Sequence, residues 1–338
     1  MMKLRDGGIK MTAARNSWFL RIILFLFAVC LICTATQAKY SGGTGEPNDP
    51  YQIATAEDLI LLGKSLKDYD KHFILTVDID LDPNLPGCKV FDKAVIAADT
   101  NDVSWGFEGT HFFGVFDGNG HKVSNLTIKG VRYLGFFGKV GDGAMICNLG
   151  LEDVRVYGTG WFIGGLVGLN DRGSIITSYS KGTVAGEEET VGGLAGANFG
   201  NIATSYSIVL GDSRVSGLLA GWNSTSPGGR AVPQYPGLIT NCYAACGNSG
   251  IVKAFGLVGR NHRHLASSEV LNCFWDAQTC GLADSTEGGT PKTTEEMQTA
   301  STFINAGWDF IGETDNGTED IWWIDEGRDY PRLWWETE

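Results

Sequence analysis

The sequence lacks the short motifs by which common catalytic centres are recognised. It contains no HExxH zinc-peptidase motif, no G-x-S-x-G nucleophile turn and no glycine-rich phosphate loop that leads into a helix. His262 and His264 lie close together in the chain, but no carboxylate or third ligand stands at zinc-ligand spacing from them. These absences argue against the motif-bearing enzyme classes without excluding a site assembled from distant residues.

Charged residues are also scarce, at 19% of the chain, and the basic ones are outnumbered. The 338 residues include 26 Lys and Arg against 39 Asp and Glu, which gives a formal net charge of −13. An acidic chain is a poor partner for nucleic acid or for an anionic membrane surface, so we expect neither as a ligand. No cofactor is expected, although the same charge is compatible with bound calcium.

No apolar run is long enough to cross a membrane comfortably. Ile22–Cys33 has 12 apolar residues in succession, whereas a spanning helix needs about 20. Basic residues precede this run and small residues follow it up to Ala38, which predicts a secretory signal peptide over residues 1–38. The alternative is an uncleaved membrane anchor, and Met11 rather than Met1 could be the true start. We therefore expect a secreted or cell-surface protein.

Glycine, in contrast, is abundant: the chain has 47 glycines, well above the usual share of about 7%. Many of them belong to a repeated pattern. Gly164–Asn170 reads G-G-L-V-G-L-N and Gly173–Ser180 reads G-S-I-I-T-S-Y-S, and close copies of both recur at Gly192–Asn198 and Gly200–Ser207. Looser copies lie on both sides. Such a repeat predicts stacked units, each of which buries its apolar side chains against the next.

Aligned copies place polar residues in two columns. One column follows each glycine-rich unit and contains Asn170, Asn198, Asn223 and Asn261. The other contains Asn125, Asn148, Thr177, Thr204, Asn241 and Asn272. Stacked in register, these side chains can hydrogen-bond along the stack and satisfy polar groups that are turned inward. Two positions after the second column, the later copies carry an aromatic residue: Tyr179, Tyr206, Tyr243 and Phe274.

The Gly-Leu-x-Gly units make the sequence resemble the GLUG-motif repeat family. The matching residues are Gly165, Leu166, Gly168, Gly193, Leu194, Gly196, Gly256, Leu257 and Gly259, with Gly221 in a degenerate copy. The resemblance covers roughly residues 110–276, and the lead-in Gly42–Leu59 is similar as well. It implies an exported protein, since the family includes adhesin-like surface chains and some secreted metallopeptidases. Because HExxH is absent, we do not expect the peptidase activity here.

The repeats show short β-prone segments without helical periodicity, which predicts an all-β fold. We expect a right-handed parallel β-helix, or solenoid, of about six irregular rungs with short helical caps. Residues 39–110 would form a lead-in and capping helix, 111–276 the repeats, and 277–338 a C-terminal cap with a short helix and an aromatic tail. Thr55 and Thr293 each begin a predicted capping box.

Six of the eight cysteines lie after residue 38: Cys88, Cys147, Cys242, Cys246, Cys273 and Cys280. An even set in an exported chain permits disulfides, but their pairing cannot be read from the sequence. Cys242 and Cys273 are equivalent in the repeat, so stacked strands about 4.8 Å apart would bring them within disulfide reach. A ladder of buried thiols is the alternative.

Two groups of residues are candidates for ligand binding. Asp78, Asp80 and Asp82 alternate along a predicted strand, Phe73–Leu81, and would point to one face. This pattern could hold calcium, but the glycine and distal glutamate of an EF-hand are missing, which favours a solvated strand face. Trp222, beside the proline-rich segment Ser224–Pro236, is the candidate ligand contact, because an exposed indole can stack on a sugar ring. Its alternative role is core packing.

These features favour an exported, non-enzymatic solenoid that binds a glycan or a cell-surface protein as a monomer. Two alternatives remain open. A carbohydrate-active β-helix enzyme, either a polysaccharide lyase or a hydrolase, needs paired carboxylates, or calcium with a basic residue, on one face. The repeat segments carry few such residues in shared columns, which argues against this alternative. A purely structural envelope protein is the other.

Overall fold

The chain passes repeatedly through three sheets of parallel strands, which we name A, B and C. The computed structural model describes residues 39–103, 106–210, 214–224, 236–247, 254–261, 268–281 and 288–336, so the signal peptide predicted over residues 1–38 lies outside it. One turn of the chain runs from Met145–Cys147 in sheet A through Gly150–Gly158 in sheet B to Val167–Asn170 in sheet C. The next strand, Ser174–Ile176, pairs in parallel with Met145–Cys147, so the path returns to sheet A. The prediction of an all-β fold of parallel strands is confirmed.

The strands of each sheet neighbour one another in chain order. Sheet A consists of Tyr51–Ile53, His72–Leu75, Val115–Asp117, Met145–Cys147, Ser174–Ile176, Asn201–Ala203, Leu238–Thr240 and Glu269–Leu271. Sheet B consists of Ile79–Asp80, Lys122–Ser124, Gly150–Gly158, Tyr179–Gly186, Tyr206–Val209, Tyr243–Cys246, Phe274–Asp276 and Thr290–Lys292, and Thr127–Gly130 also pairs with its long third strand. Sheet C consists of Phe137–Val140, Val167–Asn170, Ala195–Asn198, Ala220–Asn223 and Val258–Asn261. Two smaller pairs complete the description: Ile163–Gly164 with Val191–Gly192 in parallel, and Trp322–Trp323 with Arg332–Leu333 antiparallel.

The stack contains more turns than the sequence predicted. Sheet A has eight strands within the described residues, against about six predicted rungs. The difference arises in the predicted lead-in, residues 39–110. Two of its strands join sheet A in parallel register: Tyr51–Ile53 and His72–Leu75. These two strands lack the glycine and asparagine columns of the repeat, so an alignment of copies cannot find them.

Four short helices interrupt the strands of the described chain. Ala56–Lys64 begins at Thr55, whose hydroxyl accepts from the Asp58 amide while the Asp58 carboxylate accepts from the Thr55 amide, so the first predicted capping box is confirmed. The second capping box is confirmed at Thr293. The other helices are Ala277–Cys280, Thr294–Met297 and Ala300–Ile304, with 3₁₀ turns at Leu66–Asp68 and Trp334–Glu336. None of the described helices is long and apolar enough to cross a membrane.

The asparagine column after the glycine-rich units forms a continuous buried ladder, as predicted. The Nδ2 of Asn170 donates to Oδ1 of Asn198 at 2.8 Å, and the Nδ2 of Asn198 donates to Oδ1 of Asn223 at 2.9 Å. Asn223 continues the ladder to Asn261 at 3.2 Å. Each of the first three also donates to a backbone carbonyl at 3.1 Å. These three side chains are fully buried, so the ladder supplies the hydrogen bonds that buried amides need.

The second predicted column marks the turn from sheet A to sheet B. Five residues of this column lie at that turn, and all have a left-handed backbone with φ between 46° and 53°: Asn148, Thr177, Thr204, Asn241 and Asn272. Asparagine tolerates this conformation, whereas a β-branched residue rarely adopts it. Thr177 is held in place by its hydroxyl, which donates to Oδ1 of Asn148 at 2.7 Å.

Asn125 does not belong to this column, which corrects the alignment. It lies between Lys122–Ser124 and Thr127–Gly130 of sheet B, and its Nδ2 donates to Oδ1 of Asp80 at 2.9 Å. The residue of its repeat that matches Asn148 is Gly118, because the preceding Asp117 pairs with Cys147. Asn125 also has a positive φ, 59°. Two different turns therefore select the same residue type, and the sequence does not separate them.

The glycine-rich units pack backbone against backbone. A Cβ at any of their final glycines would lie 2.4–2.7 Å from a backbone atom of another segment: Gly168, Gly196, Gly221 and Gly259. Among the first glycines, a Cβ at Gly165 or Gly193 would also meet a carbonyl oxygen, and Gly256 has a φ of 105°. The leucines between them, Leu166, Leu194 and Leu257, are fully buried in the core.

The six described cysteines form one disulfide, Cys246–Cys280, which joins a strand of sheet B to the helix that follows the repeats. Cys242 and Cys273 remain free and buried, so the thiol-ladder alternative applies to them. The Cys242 amide donates to Sγ of Cys273 at 3.3 Å, and each thiol contacts the carbonyl two residues before it at 3.1 Å. Cys88 and Cys147 are free as well.

The C-terminal segment covers the side of sheet B, and its strand Thr290–Lys292 extends that sheet beyond Phe274–Asp276. Tyr179, Tyr206 and Tyr243 stack along the sheet with ring centroids 4.8 and 4.7 Å apart. Trp335 stacks on Tyr179 at 5.5 Å, and Trp322 packs against the other two tyrosines. The tyrosine column thus gives the aromatic tail a continuous surface against which to bury itself.

Candidate functional site: an aromatic pocket beside sheet C

Trp222, the predicted ligand contact, lines a pocket with four other residues. Arg132, Tyr133, Trp161 and Phe162 complete the lining, and the cavity has a volume of about 170 Å³. Four of the five lining side chains are aromatic, and they come from three different turns of the chain. Residues 225–235, the proline-rich segment next to Trp222, lie outside the described residues.

Tyr133 and Phe162 hold matching positions in adjacent turns. The following residues, Leu134 and Ile163, pair in parallel, and the amide of Leu134 donates to the carbonyl of Phe162 at 3.0 Å. The two aromatic rings lie 4.9 Å apart. Both residues have a left-handed backbone, with φ of 50° and 65°. This conformation is uncommon for bulky residues and is often retained where function requires a fixed side-chain direction.

A small apolar cluster outside the main core supports the pocket. Trp222 stands on the sheet C strand Ala220–Asn223, where it neighbours Ala197 of the adjacent strand. The ring of Phe199 meets the Trp222 indole edge-on, with centroids 5.1 Å apart. Tyr133 and Leu169 belong to the same cluster and are almost fully buried. The pocket wall is therefore packed from behind, which limits the motion of its aromatic rings.

His111 borders this cluster and makes its stability depend on pH. Burial, and then the positive charge of Lys139, lower the pKa of His111 to about 4, against the opposing effect of Asp171. Because the unfolded chain binds a proton near pH 6.5 and the folded chain does not, stability is lost as the pH falls from about 6.5 to about 4. On acidification, the free energy of unfolding of His111→Gln should therefore fall by about 1–2 kcal/mol less than that of the parent chain. This figure allows for the partial exposure of His111, which weakens the effect.

The measurement is the free energy of unfolding in urea at pH 7 and at pH 4.5, for the parent chain and the variant. His121→Gln serves as the control, because His121 is partly exposed and its Nδ1 lies 3.1 Å from Oδ1 of Asp78. A parent and a His111 variant that lose equal stability on acidification would contradict the assignment.

Asp78, Asp80 and Asp82, the candidates for calcium, accept hydrogen bonds from nearby donors. The predicted strand Phe73–Leu81 is two strands, and Asp78 lies in the turn between them. Oδ1 of Asp78 accepts from the Lys122 amide at 3.1 Å, and Oδ1 of Asp80 accepts from the Asp82 amide at 2.8 Å. Within the described residues no group of three or more His, Cys, Asp or Glu is placed to hold a metal ion. The aspartates instead satisfy local backbone and amide donors.

A second cavity, of about 180 Å³, lies under the C-terminal segment and is polar. Lys181 contacts two carboxylates there: Glu336 at 3.3 Å and Glu152 at 3.8 Å. The hydroxyl of Tyr179 donates to Glu152 at 2.9 Å, and that of Tyr206 donates to Glu336 at 2.7 Å. Sequence reasoning missed this cluster, because Glu336 is 155 residues from Lys181 in the chain.

The electrostatics of the polar cavity suit attachment of the C-terminal segment to sheet B better than proton transfer. Burial raises the pKa of Glu152, but the Tyr179 hydrogen bond and the ammonium groups of Lys181 and Lys122 outweigh it, so the net pKa is lowered. Burial raises the pKa of Tyr179 and Tyr206, which keeps both hydroxyls protonated. A glycosidase acid needs a carboxyl whose pKa is raised. Glu152 therefore does not fit that role.

The other pocket residues were not predicted from the sequence, where only a weak pattern marks them. Arg132, Tyr133, Trp161 and Phe162 stand outside the repeat columns, in the segments just before two consecutive glycine-rich units. Aromatic residues recurring at that offset are the pattern that could have indicated them. Trp222 alone was predicted, and the structure places it with them.

Comparisons with known proteins give partial matches. No family model matches the chain. The chain is 32% identical, over 46% of its length, to halomucin from Haloquadratum walsbyi, of which it covers 2%. It is 26% identical, over 93% of its length, to an Evansella cellulosilytica protein provisionally named a Gly-rich membrane protein, of which it covers 48%. The chain thus spans less than half the length of both curated relatives.

A solved structure from Bacteroides ovatus, provisionally assigned as an immunoglobulin A1 protease, resembles this chain distantly. The TM-score is 0.47 at 16% identity, with 88% of this chain and 96% of that one covered. A likeness at this level carries no functional argument, because one architecture hosts many activities.

Proposed function

We propose that this protein is an exported, non-enzymatic binding module that holds a sugar ring in the aromatic pocket, at the cell surface or in the extracellular matrix. The pocket itself is the observation that carries the proposal. Four aromatic side chains and one guanidinium line a cavity of about 170 Å³, small beside the roughly 300–1,000 Å³ of sites for larger ligands. Aromatic faces suit the apolar face of a sugar ring, and a charged donor suits its polar rim.

Three features support the extracellular location. The signal peptide predicted over residues 1–38 is the first. The disulfide Cys246–Cys280 is the second, because such bonds persist mainly in oxidising compartments. The third is the similarity to halomucin and to a Gly-rich membrane protein, names that belong to those relatives and fit a surface protein.

The architecture supports the family that the motif residues suggest. In our proposal the stack is a right-handed parallel β-helix of the GLUG-motif kind, since parallel crossover connections are right-handed in about 98% of cases. The final motif glycines, all at close backbone contacts, favour a structural origin for the Gly-Leu-x-Gly signature. An experimental electron-density map with a left-handed path would overturn the handedness.

Trp222→Ala is expected to weaken binding about tenfold or more, because it removes an aromatic wall of the pocket. A glycan array with the full chain identifies the glycan, and calorimetric titration then compares affinities. Trp334→Ala is the matched control, since Trp334 is 49% exposed and lies outside the pocket. An unchanged affinity in Trp222→Ala, with thermal unfolding like that of the parent, would count against the pocket. Blank results from both the array and whole-cell binding would count against the function.

A carbohydrate-active lyase or hydrolase is the second candidate, because the polar cavity places Glu152, Glu336 and Lys181 together. The lowered pKa of Glu152 disfavours it as a general acid. Reducing ends or unsaturated products released from a panel of acidic polysaccharides would establish an enzyme, and their absence together with retained binding supports the binding module.

A further inference from the structure

On the basis of the proposed sugar-binding function, we propose that the pocket recognises a carboxylated sugar and that Arg132 binds its carboxylate. Among the described residues, Arg132 is the only charged one that lines this pocket. Its backbone position is fixed by the neighbouring turn, where the amide of Gly160 donates to the carbonyl of Val131 at 2.7 Å. Arg132 lines the pocket together with Trp161 and the other aromatic side chains.

Among the described residues, Arg132 has no ion-pair partner, and its buried Nε has no hydrogen-bond acceptor. Arg172, Arg260 and Arg332, in contrast, are each paired with an aspartate or glutamate. The described arginines that lack an ion pair besides Arg132, namely Arg155 and Arg214, are exposed to water. An unpaired, partly buried cation is unexpected in a chain whose acids outnumber its bases 39 to 26.

A buried N–H without an acceptor is unfavourable in the empty pocket, and a turn of the guanidinium toward the pocket would present this N–H to an acceptor on the ligand. Arginine stays charged and presents its donors in a planar fork, which matches the two oxygens of a carboxylate. Aromatic side chains around the pair exclude water, so the charge-assisted hydrogen bonds there are stronger than at an open surface. The pocket can thus bind the ring through Trp161 and Trp222 and the carboxylate through Arg132.

The charge balance favours one carboxylate over a dense polyanion. Among the described residues the pocket offers one cation. The whole chain is acidic, so a highly charged polymer would be repelled over most of the surface. A single sugar acid within or at the end of a glycan satisfies Arg132 without that repulsion. Uronates and sialates share this chemistry.

The test is calorimetric titration of the full chain with matched charged and neutral sugars. Digalacturonate is compared with its methyl ester, which keeps the rings and removes the charge, and sialyllactose is compared with lactose. We expect at least one acid to bind about tenfold or more tightly than its neutral partner, with an affinity that falls as salt is added. The acid that shows this preference identifies the source, uronate or sialate.

The variants separate the carboxylate contact from ring stacking. Arg132→Gln and Arg132→Lys are expected to lose most of the preference for the acid and to bind the neutral sugar within about twofold of the parent. Trp222→Ala weakens both sugars. Arg328→Gln, which removes an exposed cation paired with Asp325, leaves all affinities unchanged.

Two sets of results would overturn the inference, and they differ in what they leave standing. Equal affinity for acid and neutral sugar, or a preference that persists in Arg132→Gln, removes the role of Arg132 and leaves sugar binding intact. Binding of an acidic tetrapeptide in place of any sugar, or no binding by the parent chain, overturns the inference and the proposed function together. If both Arg132 variants fail to fold, the parent chain still tests the inference. Its affinity for the acid must exceed that for the neutral sugar and must fall as salt is added, and the absence of either result overturns the inference.

Discussion

Gly196→Ala is expected to lower the free energy of unfolding by at least about 3 kcal/mol, or to prevent folding. A Cβ at this position would lie 2.4 Å from the backbone nitrogen of Ile163 and 2.6 Å from the carbonyl oxygen of Gly168. Both atoms belong to the backbone, so no side-chain rotation can relieve the clash. The neighbouring turn of the chain would have to move as a whole, which breaks its parallel hydrogen bonds.

Urea unfolding of the variant and of a control measures this effect. Gly106→Ala is the control, because a Cβ there meets nothing within 4 Å and its φ is not in the left-handed region. We expect the control to stay within about 0.5 kcal/mol of the parent. If both alanine variants are equally stable, the close approach of the turns is not what the motif glycine provides.

Asn198→Ala is expected to cost about 2–4 kcal/mol of stability. Asn198 is in the middle of the buried ladder, where its amide donates to Asn223 at 2.9 Å and its oxygen accepts from Asn170 at 2.8 Å. Alanine cannot replace either bond, so the Asn223 oxygen loses a donor and the Asn170 amide loses an acceptor. Buried polar groups left unsatisfied account for the expected size of the effect.

Asn201→Ala is the matched control for the ladder. Asn201 is three residues away and joins the ladder through its backbone carbonyl, which accepts from the Asn170 side-chain amide at 3.3 Å and is kept in alanine. Its free energy of unfolding should stay close to that of the parent. Hydrogen exchange of the Asn170 and Asn223 strands adds a local readout, since loss of the ladder should speed exchange there first. Loss of less than about 0.5 kcal/mol in Asn198→Ala would contradict the importance of the ladder.

The close backbone contacts of the motif glycines and the asparagine ladder also position the candidate site. Trp222 stands between the motif glycine Gly221 and the ladder residue Asn223. A Cβ at Gly196 would come within 2.6 Å of the carbonyl carbon of Phe162, so the same close approach holds the turn that carries a pocket aromatic. The repeat thus supplies rigidity, and the segments just before its glycine-rich units supply the pocket.

The sequence by itself determined the periodic part of the molecule. The Asn170, Asn198, Asn223 and Asn261 column predicted a stacked ladder, and the hydrogen bonds confirm it. Periodic patterns are readable because each residue meets its own counterpart one turn later, at a fixed separation in the chain. The capping boxes at Thr55 and Thr293 were readable for a related reason, since all their partners lie within three residues.

Tertiary structure decided the contacts between segments that are neither repeat counterparts nor neighbours in the chain. The aromatic tail packs along the Tyr179 column because that column offers continuous ring faces, a surface that exists only after the repeats have stacked. The pairing of Cys246 with Cys280 and the separate turn of Asn125 depend on strand register, which composition does not encode. Arg132 and Trp222 line one pocket for the same reason. No repeat period relates their positions in the chain, and only the folded stack brings their turns together.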